Sequence, residues 1–132
     1  MLVEIEKSEK LTINVGVVDL GQIDLLVSEG FFANRTDFIR TAIRRQLESR
    51  SVTVDNTLAR RALTLGSQHY GRRDLEQLRD AGRTVELRVI GLASIAEDVS
   101  PELALATIAA VEVLGAFRAS AAVKAALAAR TT

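Results

Sequence analysis

Near the start of the chain Leu11, Ile13 and Val15 alternate with Lys10, Thr12, Asn14 and Gly16. That period of two predicts a half-buried strand over Lys10–Gly16. Helix-like sequence follows at once, so the strand has no local partner, and the N–H and C=O groups on both its edges would go unsatisfied. Pairing with the same strand of a second chain, antiparallel across a two-fold axis, removes that cost. From Asp19 to Glu29 the period changes: Leu20, Ile23, Leu26 and Val27 share one face, with Gln22, Asp24, Ser28 and Glu29 opposite. Gly30 is placed to end this helix in a left-handed conformation. Asn34 is a good N-cap, and Asp37 three residues later approximates a capping box. Phe38, Ile39, Ala42, Ile43 and Leu47 supply the buried stripe of a second helix, and Arg40, Arg44, Arg45 and Arg50 lie largely off it.

Arg50–Asn56 reads as a polar connection, with Val52 and Val54 forming a short extended piece. Beyond it Leu65-Gly66, Ile90-Gly91 and Leu114-Gly115 recur at spacings of 25 and 24 residues. Each pair sits in a strand-like run: Ala62–Tyr70, Val85–Ile95 and Val111–Arg118. A helical segment follows each run. The first is Asp74–Ala81, closed by Gly82; the second starts at Ser100 as N-cap with Pro101 at the first helical position and continues to Ala109; the third begins at Ser120 and carries Val123, Ala126 and Leu127. Strand–helix alternation with short connections predicts parallel strands. The period fits a three-unit β-α solenoid. It equally fits an ordinary small α/β domain whose glycines recur by chance, and the sequence leaves both open.

Composition narrows the chemistry. Cysteine is absent, which removes disulfides, thiol catalysis and thiolate metal sites, and His69 is the only histidine. Ser67 and His69 share a strand face with no acid placed to orient the imidazole, so a structural role is expected for His69. Neither a GxGxxG nor a P-loop pattern is present. No catalytic residues, cofactor or metal are therefore expected, and no enzyme activity. No apolar run reaches membrane-spanning length, and Met1–Lys10 is too acidic for a signal peptide, so a cytoplasmic protein without membrane contact is expected. Seventeen basic residues balance seventeen acidic ones, without the basic excess usual for a nucleic-acid domain. Their order matters more than the total: five of the seven cations in the first fifty residues fall in Arg35–Arg50, while acids dominate Glu4–Glu29.

Strand, helix, glycine turn and capped helix in this order resemble the ribbon-helix-helix DNA-binding family (MetJ/Arc type, including CopG-like repressors and ParD-like antitoxins). The resemblance covers roughly residues 10–48 and is most specific at Asn34-Arg35-Thr36-Asp37-Phe38-Ile39-Arg40 with Ala42 and Ile43 following. It implies a homodimer whose paired strands enter the major groove of double-stranded DNA. On this chain it makes Lys10, Thr12 and Asn14 the base readers: Asn can bond adenine bidentately, Lys favours guanine, and Thr can touch bases or a thymine methyl. It makes Asn34, Arg35 and Thr36 the phosphate-contacting group at the start of the second helix. Two departures are the acidic arm of Glu4, Glu6 and Glu9 and the lack of an arginine on the strand.

The fold expected is α+β. A ribbon-helix-helix dimerisation and DNA-binding domain spans 1–50, a linker spans 51–61, and a small α/β domain at 62–132 serves assembly or partner binding, including a higher oligomer. The resemblance implies a sequence-specific transcriptional regulator, a repressor that occupies its operator. Two alternatives stand beside it. One is the antitoxin of a toxin–antitoxin pair. The other is a structural or assembly protein that uses its first half only to dimerise.

Overall fold

The computed structural model describes residues 7–132, in which two compact units are Ser8–Thr57 and Leu58–Thr132. Residues 1–6, including Glu4 and Glu6 of the acidic arm and most of the segment read against a signal peptide, lie outside the described residues.

In the first unit, helix α1 (Val17–Ser28) ends at Gly30, whose φ of +84° is open to glycine at little cost. The amide of Phe31 donates to Leu26 O at 3.0 Å and that of Gly30 to Val27 O at 3.1 Å, which closes the helix in a Schellman-like turn. Helix α2 (Arg35–Ser49) starts as the sequence predicts, with Asn34 Oδ1 accepting from the amide of Asp37 at 2.8 Å. The Asp37 carboxylate accepts from the amide of Ala33 at 3.0 Å, one residue earlier than in a regular capping box. Phe32 and Phe38 pack edge to face, with centroids 5.0 Å apart, and staple the turn to the helix.

The linker expected at 51–61, with a short extended piece at Val52 and Val54, is helix α3 (Ser51–Arg61), and the boundary between the two units falls inside it. Val54, Thr57 and Leu58 are its half-buried positions, spaced at the helical period. Val52 is largely exposed, so its pairing with Val54 as an alternating strand was a coincidence of two β-branched residues. Helix α3 closes on Ala62, a non-glycine residue at φ +52°, with the Leu63 amide donating to Leu58 O at 3.0 Å.

The second unit holds a parallel sheet in the order β1 (Thr64–Tyr70), β2 (Val85–Ile95), β3 (Ile108–Arg118). Helices α4 (Arg72–Asp80) and α5 (Pro101–Thr107) connect the strands, and α6 (Ala121–Leu127) follows the last. The predicted alternation and strand direction are therefore observed. Boundaries differ by up to three residues: β1 starts at Thr64 rather than Ala62, α4 at Arg72 rather than Asp74 and β3 at Ile108 rather than Val111. Helix α5 stops at Thr107 rather than Ala109, because the backbone is already extended at Ile108 (φ −105°, ψ 108°). Ser100 and Ser120 cap their helices by accepting from the amides of Leu103 and Val123. Leu75, Leu103, Val123 and Leu127 from the helices pack with Leu87, Ile95, Ile108 and Val111 from the sheet into one apolar core. Burying each such side chain contributes about 1.5–3 kcal/mol.

The recurring dipeptides fall in register across the sheet. Leu65 pairs with Ile90 and Ile90 with Leu114; Gly66 pairs with Gly91 and Gly91 with Gly115. All three glycines have φ between +121° and +135°. A Cβ on Gly91 would collide with the carbonyl of Gly66, and one on Gly115 with the carbonyl of Gly91. Gly91 and Gly115 thus let the neighbouring backbone approach where no other residue fits.

Candidate nucleic-acid interface

The first unit leaves an unusual amount of its apolar surface open. Lys10–Val15 belongs to no helix and no strand, and both its alternating sets face solvent: Lys10, Thr12 and Asn14 are exposed, and Leu11 and Ile13 are 80% and 62% exposed. A strand exists only through the ladder bonds it shares with a partner, and the described residues of one chain supply none here. The expected stripe of α2 is likewise not buried. Ile39, Ile43 and Leu47 are exposed and Phe38 is half-buried, so α2 contributes no buried residue. Ile23 of α1 is the one buried side chain among Ser8–Thr57. A unit of this size with one buried side chain cannot hold itself folded by its own core. Contiguous apolar surface of this kind marks an interface.

The start of α2 combines open amides with occupied side chains. Among the described residues the backbone N–H groups of Arg35 and Thr36 make no hydrogen bond, as expected for the first turn of a helix. Those donors, with the positive end of the helix dipole, suit an anion. The side chains tell a different story. Asn34 is committed to the cap, and Arg35 forms a bidentate pair with Asp24 of α1, Nε to Oδ1 and Nη2 to Oδ2 both at 2.8 Å. The Arg35 hydrogen bonds hold the Asp24 carboxyl below its ordinary value, and Asp24 in turn raises the guanidinium. Asp24 is depressed when folded, so this pairing is intact at neutral pH and is lost only as acidity passes that lowered value. Asp24 was not legible as part of the site, because eleven residues separate it from Arg35 and only the α1–α2 turn brings them together. Arg40, Arg44 and Arg45 stand exposed along α2 with no ion pair among the described residues.

The second unit offers less for nucleic acid. His69 Nδ1 lies 2.7 Å from Ser94 Oγ, a pairing between in-register neighbours on β1 and β2. Glu112, little exposed, is bonded by Arg61 and by Arg88, the latter at 3.1 Å. Among the described residues no cluster of three His, Asp or Glu side chains could hold a metal ion, and no helix is long and apolar enough to cross a membrane.

The pattern of an alternating segment followed by two helices, the second capped and basic, has a counterpart among known proteins. Residues 6–124 match the model of the ribbon-helix-helix transcriptional regulator family, across both units. The chain belongs to that family. Ribbon-helix-helix proteins bind DNA, dimerise and are typically not enzymes, and membership points to a transcription-regulating or DNA-binding role for this chain. No curated protein and no solved structure matches the chain.

Proposed function

We propose that the chain is a dimeric, sequence-specific repressor of transcription. Two copies of Lys10–Val15 pair in antiparallel fashion, turning Leu11, Ile13 and Val15 onto the exposed stripes of α2 and Lys10, Thr12 and Asn14 outward into the major groove. The amides of Arg35 and Thr36, with Asn34 holding the helix start in place, grip a backbone phosphate. The observation that carries this reading is the Lys10–Val15 segment itself, whose polar and apolar sets are both exposed and whose backbone has no ladder partner among the described residues. Dimer symmetry makes the operator an inverted repeat.

Recovery of bound DNA from cells tests it: enrichment of a shared palindromic sequence is expected, and recovery without sequence preference overturns it. In the same assay Asn14→Ala should lose about 1–3 kcal/mol at one base step and relax preference there. The C-terminal half serves assembly as a three-unit β-α solenoid, and its support is the in-register glycine ladder Gly66–Gly91–Gly115.

A further inference from the structure

A solenoid's ends are its own strands, and among the described residues neither end is covered by a further strand. Strand β1 (Thr-Leu-Gly-Ser-Gln-His-Tyr) is the outer strand of the sheet and carries no Lys, Arg, Asp, Glu or Pro, the residues that usually block an edge. At the opposite side, the outer edge of β3 is met near its start by the last residues of the chain. Thr131 pairs with Val111 in parallel, and the amide of Thr132 donates to Val111 O at 2.9 Å. Beyond that point no strand among the described residues pairs with it.

Gly66 shows what the β1 edge is shaped to receive. At Gly91 and Gly115 a positive φ goes with a carbonyl of the preceding strand's glycine in the space a Cβ would need. Gly66 holds the same conformation, φ +134°, yet nothing among the described residues lies within 4 Å of its Cβ position. The backbone of β1 is preformed for a further glycine carbonyl. A strand that supplies it must run parallel, with a glycine in register, and β3 has that strand's sequence at Gly115. The apolar row continues too: Leu65 and Leu114, 66% and 45% exposed, are the two open ends of Leu65–Ile90–Leu114.

We infer that β1 of one chain docks against β3 of a second copy, parallel and with Gly66 on Gly115, so that the C-terminal halves assemble head to tail. Such an interface is heterologous: it does not close on itself at two copies and adds subunits in one direction. Combined with dimerisation of the N-terminal halves, it would link DNA-bound dimers into a larger array. This rests on the C-terminal half being an assembly unit and is independent of how the N-terminal half reads DNA.

The chain contains no cysteine, which makes a crosslinking test direct. In the full-length Leu65→Cys/Leu114→Cys variant the two thiols of one chain are two strand spacings apart, about 9.6 Å. That exceeds the Cα separation of about 7 Å beyond which a disulfide cannot form. Between docked copies they are neighbours. Mild oxidation without DNA should give a ladder of covalent dimers, trimers and larger species on a denaturing gel, while each single-cysteine variant should stay monomeric on that gel.

Two outcomes overturn the inference. Covalent dimers from Leu65→Cys alone would mean that two β1 edges pair across a two-fold axis. No covalent multimers from the double variant would mean that β1 does not meet β3. Sedimentation of the unmodified chain then separates the two readings: species larger than a dimer would leave the assembly role standing without this interface, and dimers alone would remove both. Leu65→Lys provides a second check, because it should abolish the larger species while leaving DNA binding by the N-terminal dimer unchanged.

Discussion

At the scale of single residues, the informative contact is the one between Arg35 and Asp24. If Arg35 grips a phosphate in the DNA complex, it has to leave Asp24 or share the site with it, so Asp24 acts as a brake on binding. Asp24→Asn should then tighten binding to all sequences alike and steepen the dependence of log K on log salt. Arg35→Ala should weaken all sequences alike and flatten that slope by about one for each phosphate no longer neutralised. Titrations at several salt concentrations decide it. An unchanged slope in both variants would place the phosphate on the amides of Arg35 and Thr36 alone. The capping of α2 was legible because Asn34 and Asp37 are three residues apart and obey a local rule. The Asp24–Arg35 pair obeys none, since it exists only after the turn at Gly30 has folded one helix back on the other.

At the scale of elements, the same contrast separates what the sequence announces from what it conceals. The recurring Leu-Gly and Ile-Gly pairs announce the register of the sheet, because a glycine at φ of +121° to +135° has no easy substitute, and at Gly91 and Gly115 a neighbouring carbonyl excludes a side chain as well. Helix α3 was concealed, because Val52 and Val54 imitate a strand and the helical partners of Val54 are the modest Thr57 and Leu58. The strand expected at Lys10–Gly16 is legible as alternation, yet among the described residues of a single chain it has no partner to pair with and is not formed.

Two substitutions test the account of the backbone. Gly91→Ala meets both an unfavourable φ and the Gly66 carbonyl, so a loss of about 4 kcal/mol or more is expected. Gly66→Ala meets only the φ, with a loss of about 1–3 kcal/mol. Equal losses in urea titrations of the two variants would remove the backbone approach as the reason for the glycine. Ala62→Gly relieves the left-handed strain at the end of α3, and its urea midpoint should rise by the equivalent of about 1 kcal/mol.

At the scale of the whole molecule, the two units differ in what holds them together. Residues 58–132 enclose a core of Leu, Val and Ile between sheet and helices, and its stability should not require a second chain. Residues 8–57 bury Ile23 and little else, while Leu11, Ile13, Ile39, Ile43 and Leu47 stay open. Folding of this unit should therefore be coupled to dimerisation, and mass action then enters its stability. Each tenfold increase in protein concentration adds about 1.4 kcal/mol to the folded dimer. For two units of this size taken together, that corresponds to a rise of roughly 5–10 °C in midpoint.

Calorimetry over a hundredfold range of concentration should thus resolve one transition that moves and a second that moves less. In the Leu65→Lys variant, which cannot extend the sheet, the second transition should not move at all. Adding operator DNA should raise the first transition alone, because only the folded N-terminal dimer presents Lys10, Thr12 and Asn14 together. A first transition independent of concentration would mean that Lys10–Val15 finds its partner within its own chain, and the polar set it carries would then have no groove to enter.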